Sequence, residues 1–182
     1  MKKLIIAAFA LAAIAIAPNA NAQTKMVGGA AMYPTKNIVE NAVNSKDHTT
    51  LVAAVKTAGL VETLESAGPF TVFAPTNEAF NNLPKGTVET LLKPENKATL
   101  TKILTYHVVS GKWSAAQLMA KIKAGNGTAE LKTVSGGVLK AMMKGGKIYL
   151  VDEKGGKSWV TIADVNQSNG VIHVVNAVLM PN

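Results

Sequence analysis

The sequence predicts an α+β domain, an antiparallel β-sandwich with helices packed around it. Three observations carry this. Apolar residues at helical spacing dominate as far as about residue 122. From residue 126 onward, glycine-containing dipeptides recur at intervals of about ten residues between short alternating runs. Two early strand-like runs, at 70–74 and 106–109, have to find partners in the later half. Helices segregated from antiparallel strands give this class, and pairing across the chain raises its contact order.

The chain begins with a segment read as a signal peptide over residues 1–22. Lys2 and Lys3 precede an apolar run of 14 residues from Leu4 to Ala17, and Ala20-Asn21-Ala22 offers small residues for cleavage. The run is shorter than the roughly 20 residues of a comfortable membrane span. Export to the periplasm or the extracellular space after cleavage near Ala22 is the expectation. Residues 23–36, rich in glycine and alanine, read as a flexible leader. Residues 37–182 then form one domain with a core of ordinary size.

Within it, Ile38, Val39, Ala42 and Val43 lie at the spacing of one helix face. Asp47, Thr49 or Thr50 can cap a second helix, with Leu51, Val52, Ala54 and Val55 as its stripe and Gly59 as its stop. Phe70, Val72 and Ala74 alternate with Thr71 and Phe73 in a strand that Pro75 ends. Thr76 is the candidate N-cap of the next helix, with Glu78 in its first turn. Thr87 reads as a further cap before Val88, Leu91 and Leu92. Leu100, Ile103 and Leu104 mark another helix, which gives way to a strand at Tyr106, His107, Val108 and Val109. Ser114 caps a helix carrying Leu118, Met119 and Ile122. Asn126-Gly127, Gly136-Gly137, Gly145-Gly146, Gly155-Gly156 and Asn169-Gly170 supply the positive φ of tight turns between strands at 128–134, 138–143, 147–151, 158–162 and 171–175.

Composition narrows the chemistry. There is no cysteine, which removes thiol nucleophiles, thiolate metal sites and disulfides. All 19 basic residues are lysine. Arginine forks carry most bidentate phosphate and base-edge recognition, so nucleic acid is not the expected partner. With Lys2 and Lys3 set aside, 17 lysines face 11 acids, a net charge of +6. Eight of those lysines fall between 121 and 157, against Glu130, Asp152 and Glu153. Among them Lys140, Lys144, Lys147, Lys154 and Lys157 sit on the predicted hairpins and are the candidate partner-binding residues. The bland alternative is edge protection, since exposed lysines discourage strand-to-strand pairing.

No catalytic constellation emerges. The serines have no G-x-S-x-G setting, and no P-loop or HExxH occurs. His107 and His173 stand in apolar strand contexts, where a histidine serves the backbone more often than it serves chemistry. His48, in a helix-entry loop, reads as solvated. Asp164 reads as an Asx residue ordering the turn at 166–170, and Met142 and Met143 read as core filler. No metal or cofactor is expected.

The stretch TVFAPTNEAF at 71–80, the Tyr106-His107 pair and the closing ADVNQSNGVIHVVNAVLMP at 163–181 together resemble a fasciclin-type FAS1 domain. The resemblance covers about Asn37 to Pro181. It departs at Asn176, where the family usually has Asp, so any carboxylate role is lost there while an amide can still hydrogen-bond. The resemblance implies a wedge-shaped β-sandwich whose two end motifs are neighbours. It assigns Phe73, Pro75, Thr76, Tyr106, His107, Asp164, His173 and Asn176 to the structural motif. It further implies adhesion or association with matrix and surfaces. The expectation is therefore a secreted, non-catalytic binding protein whose partner is a protein or an anionic glycan at the cell surface. A carrier of small ligands in an apolar pocket is the alternative.

Overall fold

One mixed sheet of seven strands organises residues 23–182, the part of the chain that this computed structural model describes; residues 1–22, where the sequence places the signal peptide, lie outside it. Lys25–Val27 (β1) and Ala30–Met32 (β2) make a separate small hairpin. Then come helices Ile38–Ala42 (α1), Thr49–Ala58 (α2) and Val61–Glu65 (α3), and strand Phe70–Pro75 (β3). Asn77–Asn81 (α4), Thr87–Leu91 (α5) and Lys97–Tyr106 (α6) lead to Val108–Ser110 (β4) and Ala115–Ala124 (α7). The chain ends in five strands: Thr128–Lys132 (β5), Val138–Lys144 (β6), Lys147–Val151 (β7), Lys157–Gln167 (β8) and Gly170–Val175 (β9).

The order across the sheet is β4-β3-β9-β8-β7-β6-β5. All neighbours are antiparallel except β3 and β9, which run parallel from Phe70↔Gly170 to Pro75↔Val175. Parallel neighbours need no turn between them, so nothing local in the sequence announces this pair. β8 is longer than the periodicity at 158–162 suggests. Its first residues pair with β7 and its later ones with β9, with register shifts on either side of Ile162. Those irregularities bend the sheet. The Val109↔Thr133 bridge, with Val134 N–H on the Val108 carbonyl at 2.8 Å, then brings the two outer strands together. The result is a nearly closed wedge, the α+β arrangement expected.

The central pair is buried on both faces. Val72, Ala74, Ile172 and Val174 face a cluster built by α1, α2, α4 and α6 with the β1–β2 hairpin. Phe73 and Val175 face a second cluster with Tyr106, Leu118, Ile122, Leu139 and Leu150. Gly170 fits this centre because a Cβ there would overlap the Phe70 carbonyl oxygen. It supplies close approach, not the positive φ that the Asn169-Gly170 dipeptide suggests.

Several expectations change. Residues 25–32, within the segment read as a flexible leader, form a hairpin that buries Val27 and Met32 and is tied down by Lys46 N–H on the Gly28 carbonyl. Tyr106 and His107 are not strand residues: Tyr106 closes α6 and His107 is its C-cap, with the strand starting one residue later. Gly86, not Thr87, stands at the N-cap of α5. The capping hydroxyls of Thr76 and Ser114 are observed on Ala79 N–H and Gln117 N–H. Asp47 and the threonines do not cap α2. Its Thr50 N–H is taken by Asn77 Oδ1, 3.0 Å away and 27 residues later.

Candidate functional site

The lysines of the C-terminal half gain a geometry from strand register. Side chains directly opposite one another in a sheet share a face. Lys144 pairs with Lys147 at the tip of the β6–β7 hairpin. One step along, Met142, Tyr149 and Trp159 align across β6, β7 and β8. The next row holds Glu130, Lys140, Val151 and Lys157 across β5 to β8. The opposite face carries Ala129, Leu131, Leu139, Ala141, Ile148 and Leu150, all buried with α7 over them. The four lysines are exposed on the outward face.

The structure thus brings Lys140, Lys144, Lys147 and Lys157 to one surface. Lys154 is separate: it sits in the β7–β8 turn, its N–H on Asp152 Oδ1 at 3.0 Å. Between the lysine rows, Tyr149 and Trp159 are 4.8 Å apart, ring centre to ring centre, and tilted by 38°. The Tyr149 hydroxyl reaches Met142 Sδ at 3.5 Å. Met142 therefore faces outward, not into the core; Met143 packs against the inner cluster. Sequence reading passed over this aromatic row. The signal was present: a two-residue Gly145-Gly146 loop fixes 144 opposite 147, and hence 142 opposite 149.

Most motif residues lie elsewhere: Phe73 and Tyr106 belong to the second cluster and His107 and His173 are buried, while exposed Asn176 sits beside Trp159. His107 Nδ1 donates to the Ile103 carbonyl at 2.9 Å, and its Nε2 accepts Leu179 N–H at 3.0 Å. Burial lowers its pKa to about 4, so the ring is neutral. His173 Nε2 donates to the Trp113 carbonyl at 2.8 Å and Nδ1 accepts Asp164 N–H at 3.3 Å; burial lowers its pKa too. Each ring uses one donor and one acceptor on backbone. The Tyr106 hydroxyl donates to the Val138 carbonyl at 2.8 Å and accepts Glu153 N–H, and burial raises its pKa to about 12. Phe73 stacks on His173, while Pro75 is buried at the end of β3 beside Val175. Asn176 Oδ1 takes the Trp159 N–H at 2.8 Å, an acceptor role that an amide fills as well as a carboxylate.

Two polar residues behave otherwise than read. Asp164 does not order the 166–170 turn through its carboxylate. It adopts φ +55° at the irregular part of β8, and Oδ1 accepts Ala115 N–H at 2.7 Å, at the positive end of α7. His48 is buried, not solvated. Its Nδ1 shares a 2.8 Å bond with Ser45 Oγ, its Nε2 has no hydrogen-bond partner, and burial lowers its pKa.

His48 lines an apolar cavity of ≈ 70 Å³ between the sheet and the helices, together with Val27, Met32, Ile38, Val55 and Ile172. Among the described residues no three His, Asp or Glu side chains gather as a metal site. No described helix is long and apolar enough to cross a membrane.

Comparison with known proteins agrees with this architecture. The chain is 49% identical to protein sll1483 of Synechocystis, over 87% of this chain and 81% of that one. It is 32% identical to the immunogenic protein MPB70 of Mycobacterium bovis, over 96% of this chain and 92% of the other. The solved structure of a FAS1 domain pair from the insect cell adhesion molecule Fasciclin I superposes with a TM-score of 0.71 at 17% identity, covering 80% of this chain and 51% of that one. The model of the fasciclin domain matches residues 46–181, and with that match the chain belongs to the fasciclin (FAS1) family.

Proposed function

We propose that this chain is an exported, non-catalytic binding module that associates with polyanionic material at the cell surface through the outward face of β5–β8. The observation that carries the reading is the register that sets Lys140, Lys144, Lys147 and Lys157 on one face of the sheet, in two rows with Glu130 as the one acid in them. Like charges held on a rigid sheet concentrate positive potential, which attracts a polyanion and speeds its capture. The N-terminal leader motivates export. The Fasciclin I relationship supports adhesion as the general role. The structural-motif residues, His107 and His173 included, are read as serving the fold, since both rings spend their hydrogen bonds on backbone.

The test is binding of the mature protein to heparin and to inorganic polyphosphate across a salt series. Affinity should fall steadily between about 50 and 500 mM salt as the screening length shortens. Substituting all four lysines with glutamine should remove it. Binding that ignores salt, or survives that substitution, defeats the reading.

A second reading, a carrier of small apolar ligands, draws on the cavity beside His48. At ≈ 70 Å³ it is about half the size of an engineered cavity of about 150 Å³ that admits benzene, so only a small molecule enters without rearrangement. A melting temperature that rises with a small alcohol or phenol, and not in a His48→Phe variant, would support it.

A further inference from the structure

The lysine rows account for attraction to any polyanion, but not for what lies between them. Met142, Tyr149 and Trp159 form a continuous row across three strands, half-buried, on the face opposite the one that α7 covers among the described residues. Lys144 and Lys147 flank it on one side, Lys140 and Lys157 on the other. Each flanking row is two residues along the strands, about 7 Å away. Asn176 fixes the Trp159 end: its Oδ1 accepts Trp159 N–H while its own N–H donates to the Trp159 carbonyl at 3.2 Å.

We infer that this row is a stacking platform for the sugar rings of an anionic polysaccharide, with the four lysines holding its sulfates or carboxylates. The inference rests on the polyanion reading above and names the class of polyanion. A pyranose ring has a face of C–H groups that is apolar, and it can pack on the outward side of Tyr149 and Trp159, whose rings, 4.8 Å apart, lean against each other and leave apolar, polarisable surface toward solvent. Acidic groups project from the ring edges, toward the positions the lysines occupy. Lysine stems can lie along the aromatic edges while their ammonium heads stay in water, which suits the half-burial of the rings. A bare phosphate polymer gains nothing from the aromatics. Nucleic acid could stack bases on them, but the chain has no arginine to fork onto phosphate or base edges.

The experiment compares heparin oligosaccharides, inorganic polyphosphate and single-stranded DNA on the mature protein and three variants: Trp159→Leu, Tyr149→Leu and the four-lysine glutamine variant. Leucine keeps the row apolar, and circular dichroism with melting temperature verifies the fold. A Trp113→Phe background isolates Trp159 fluorescence. The expected result is a saturable change in Trp159 emission with heparin, and at least a tenfold loss of heparin affinity in either aromatic variant with polyphosphate affinity unchanged. Equal heparin binding by wild type and aromatic variants assigns Tyr149 and Trp159 to cross-strand packing alone and overturns the inference. So does parallel loss of heparin and polyphosphate, or DNA binding as tight as heparin. If the wild type binds polyphosphate but not heparin, the inference fails and the polyanion reading stands. If the lysine variant binds every probe as the wild type does, both fail.

Discussion

Phe73 and His173 are register partners in adjacent parallel strands, and their rings stack with centroids 5.6 Å apart and planes 25° from parallel. A residue of the first motif and a residue of the last, a hundred positions apart, thus meet at the centre of the sheet. His173 extends the contact to a third segment by donating to the Trp113 carbonyl ahead of α7. Replacing it with phenylalanine keeps a ring on Phe73 but leaves the Trp113 carbonyl and Asp164 N–H unpaired in a partly buried setting. Each stranded group costs about 1–3 kcal/mol, so urea unfolding of His173→Phe should show a loss of at least roughly 2 kcal/mol with little change in polyanion affinity. A histidine that contacts the polyanion would show the reverse pattern, stability kept and affinity lost.

Stability should fall in acid along a defined window. His107 is neutral in the fold with a pKa of about 4, against an ordinary value of 6.5. Above 6.5 neither folded nor unfolded chain carries the proton, and the full stability is present. Between 6.5 and 4 the unfolded chain takes up a proton that the folded one refuses, so stability drops as pH falls, by roughly 3 kcal/mol in total for this group. His48 and His173 are shifted the same way and steepen the slope. Denaturant midpoints measured from pH 8 to pH 4 should trace the decline. His107→Gln should flatten part of it while lowering stability at pH 8.

Gly170→Ala should be among the most damaging small substitutions. A Cβ there overlaps the Phe70 carbonyl and pushes β9 from β3 along their whole register. A loss of about 3 kcal/mol is expected, at the upper end of core overpacking. Gly146→Ala is the comparison: its φ of +75° is strained for alanine but nothing stands within 4 Å, so about 1–2 kcal/mol suffices. Thermal melts that rank the two in the opposite order would contradict the assigned cause.

Asn77 holds α2 from outside it. Its Oδ1 accepts Thr50 N–H and its Nδ2 donates to the Lys46 carbonyl at 2.8 Å. Asn77→Ala removes both and should cost about 1 kcal/mol, the usual worth of an N-cap. Asn77→Asp retains the acceptor and should recover part of it, read by the same melts.

What the sequence made legible was local. Thr76 and Ser114 were readable as caps because a hydroxyl and its N–H lie within one turn. The glycine-bounded strands were readable because hairpins keep partners close in the chain. The parallel β3–β9 pair, the capping of α2 by Asn77 and that of α7 by Asp164 depend on residues between 27 and 100 positions apart. No periodicity encodes such contacts. Asn169 shows the same limit: it reads as half of a turn dipeptide, yet it is buried, accepts Ile38 N–H and donates to the carbonyls of Leu64 and Ser66. In the candidate site, the charge was visible as composition and the aromatic row only as register.

The lysines predicted together should separate in function. Lys140 and Lys157 stand in one row across β7, and Lys144 and Lys147 form a pair at the hairpin tip, all on the face that carries Tyr149 and Trp159. Lys154 has its backbone in the β7–β8 turn, held by Asp152, outside those rows. Each single glutamine substitution removes one charge and changes the long-range field equally. What differs is whether that charge contacts a ligand lying on the sheet. Lys154→Gln should therefore slow association slightly and leave dissociation unchanged. Lys140→Gln and Lys157→Gln should each speed dissociation several-fold, because rim charges act mainly through encounter and contacting charges through residence. Surface plasmon resonance on immobilised heparin at 150 mM salt separates the two rates. Equal effects from all five lysines would mean that the face acts only as a diffuse charge, with no bound geometry on the sheet.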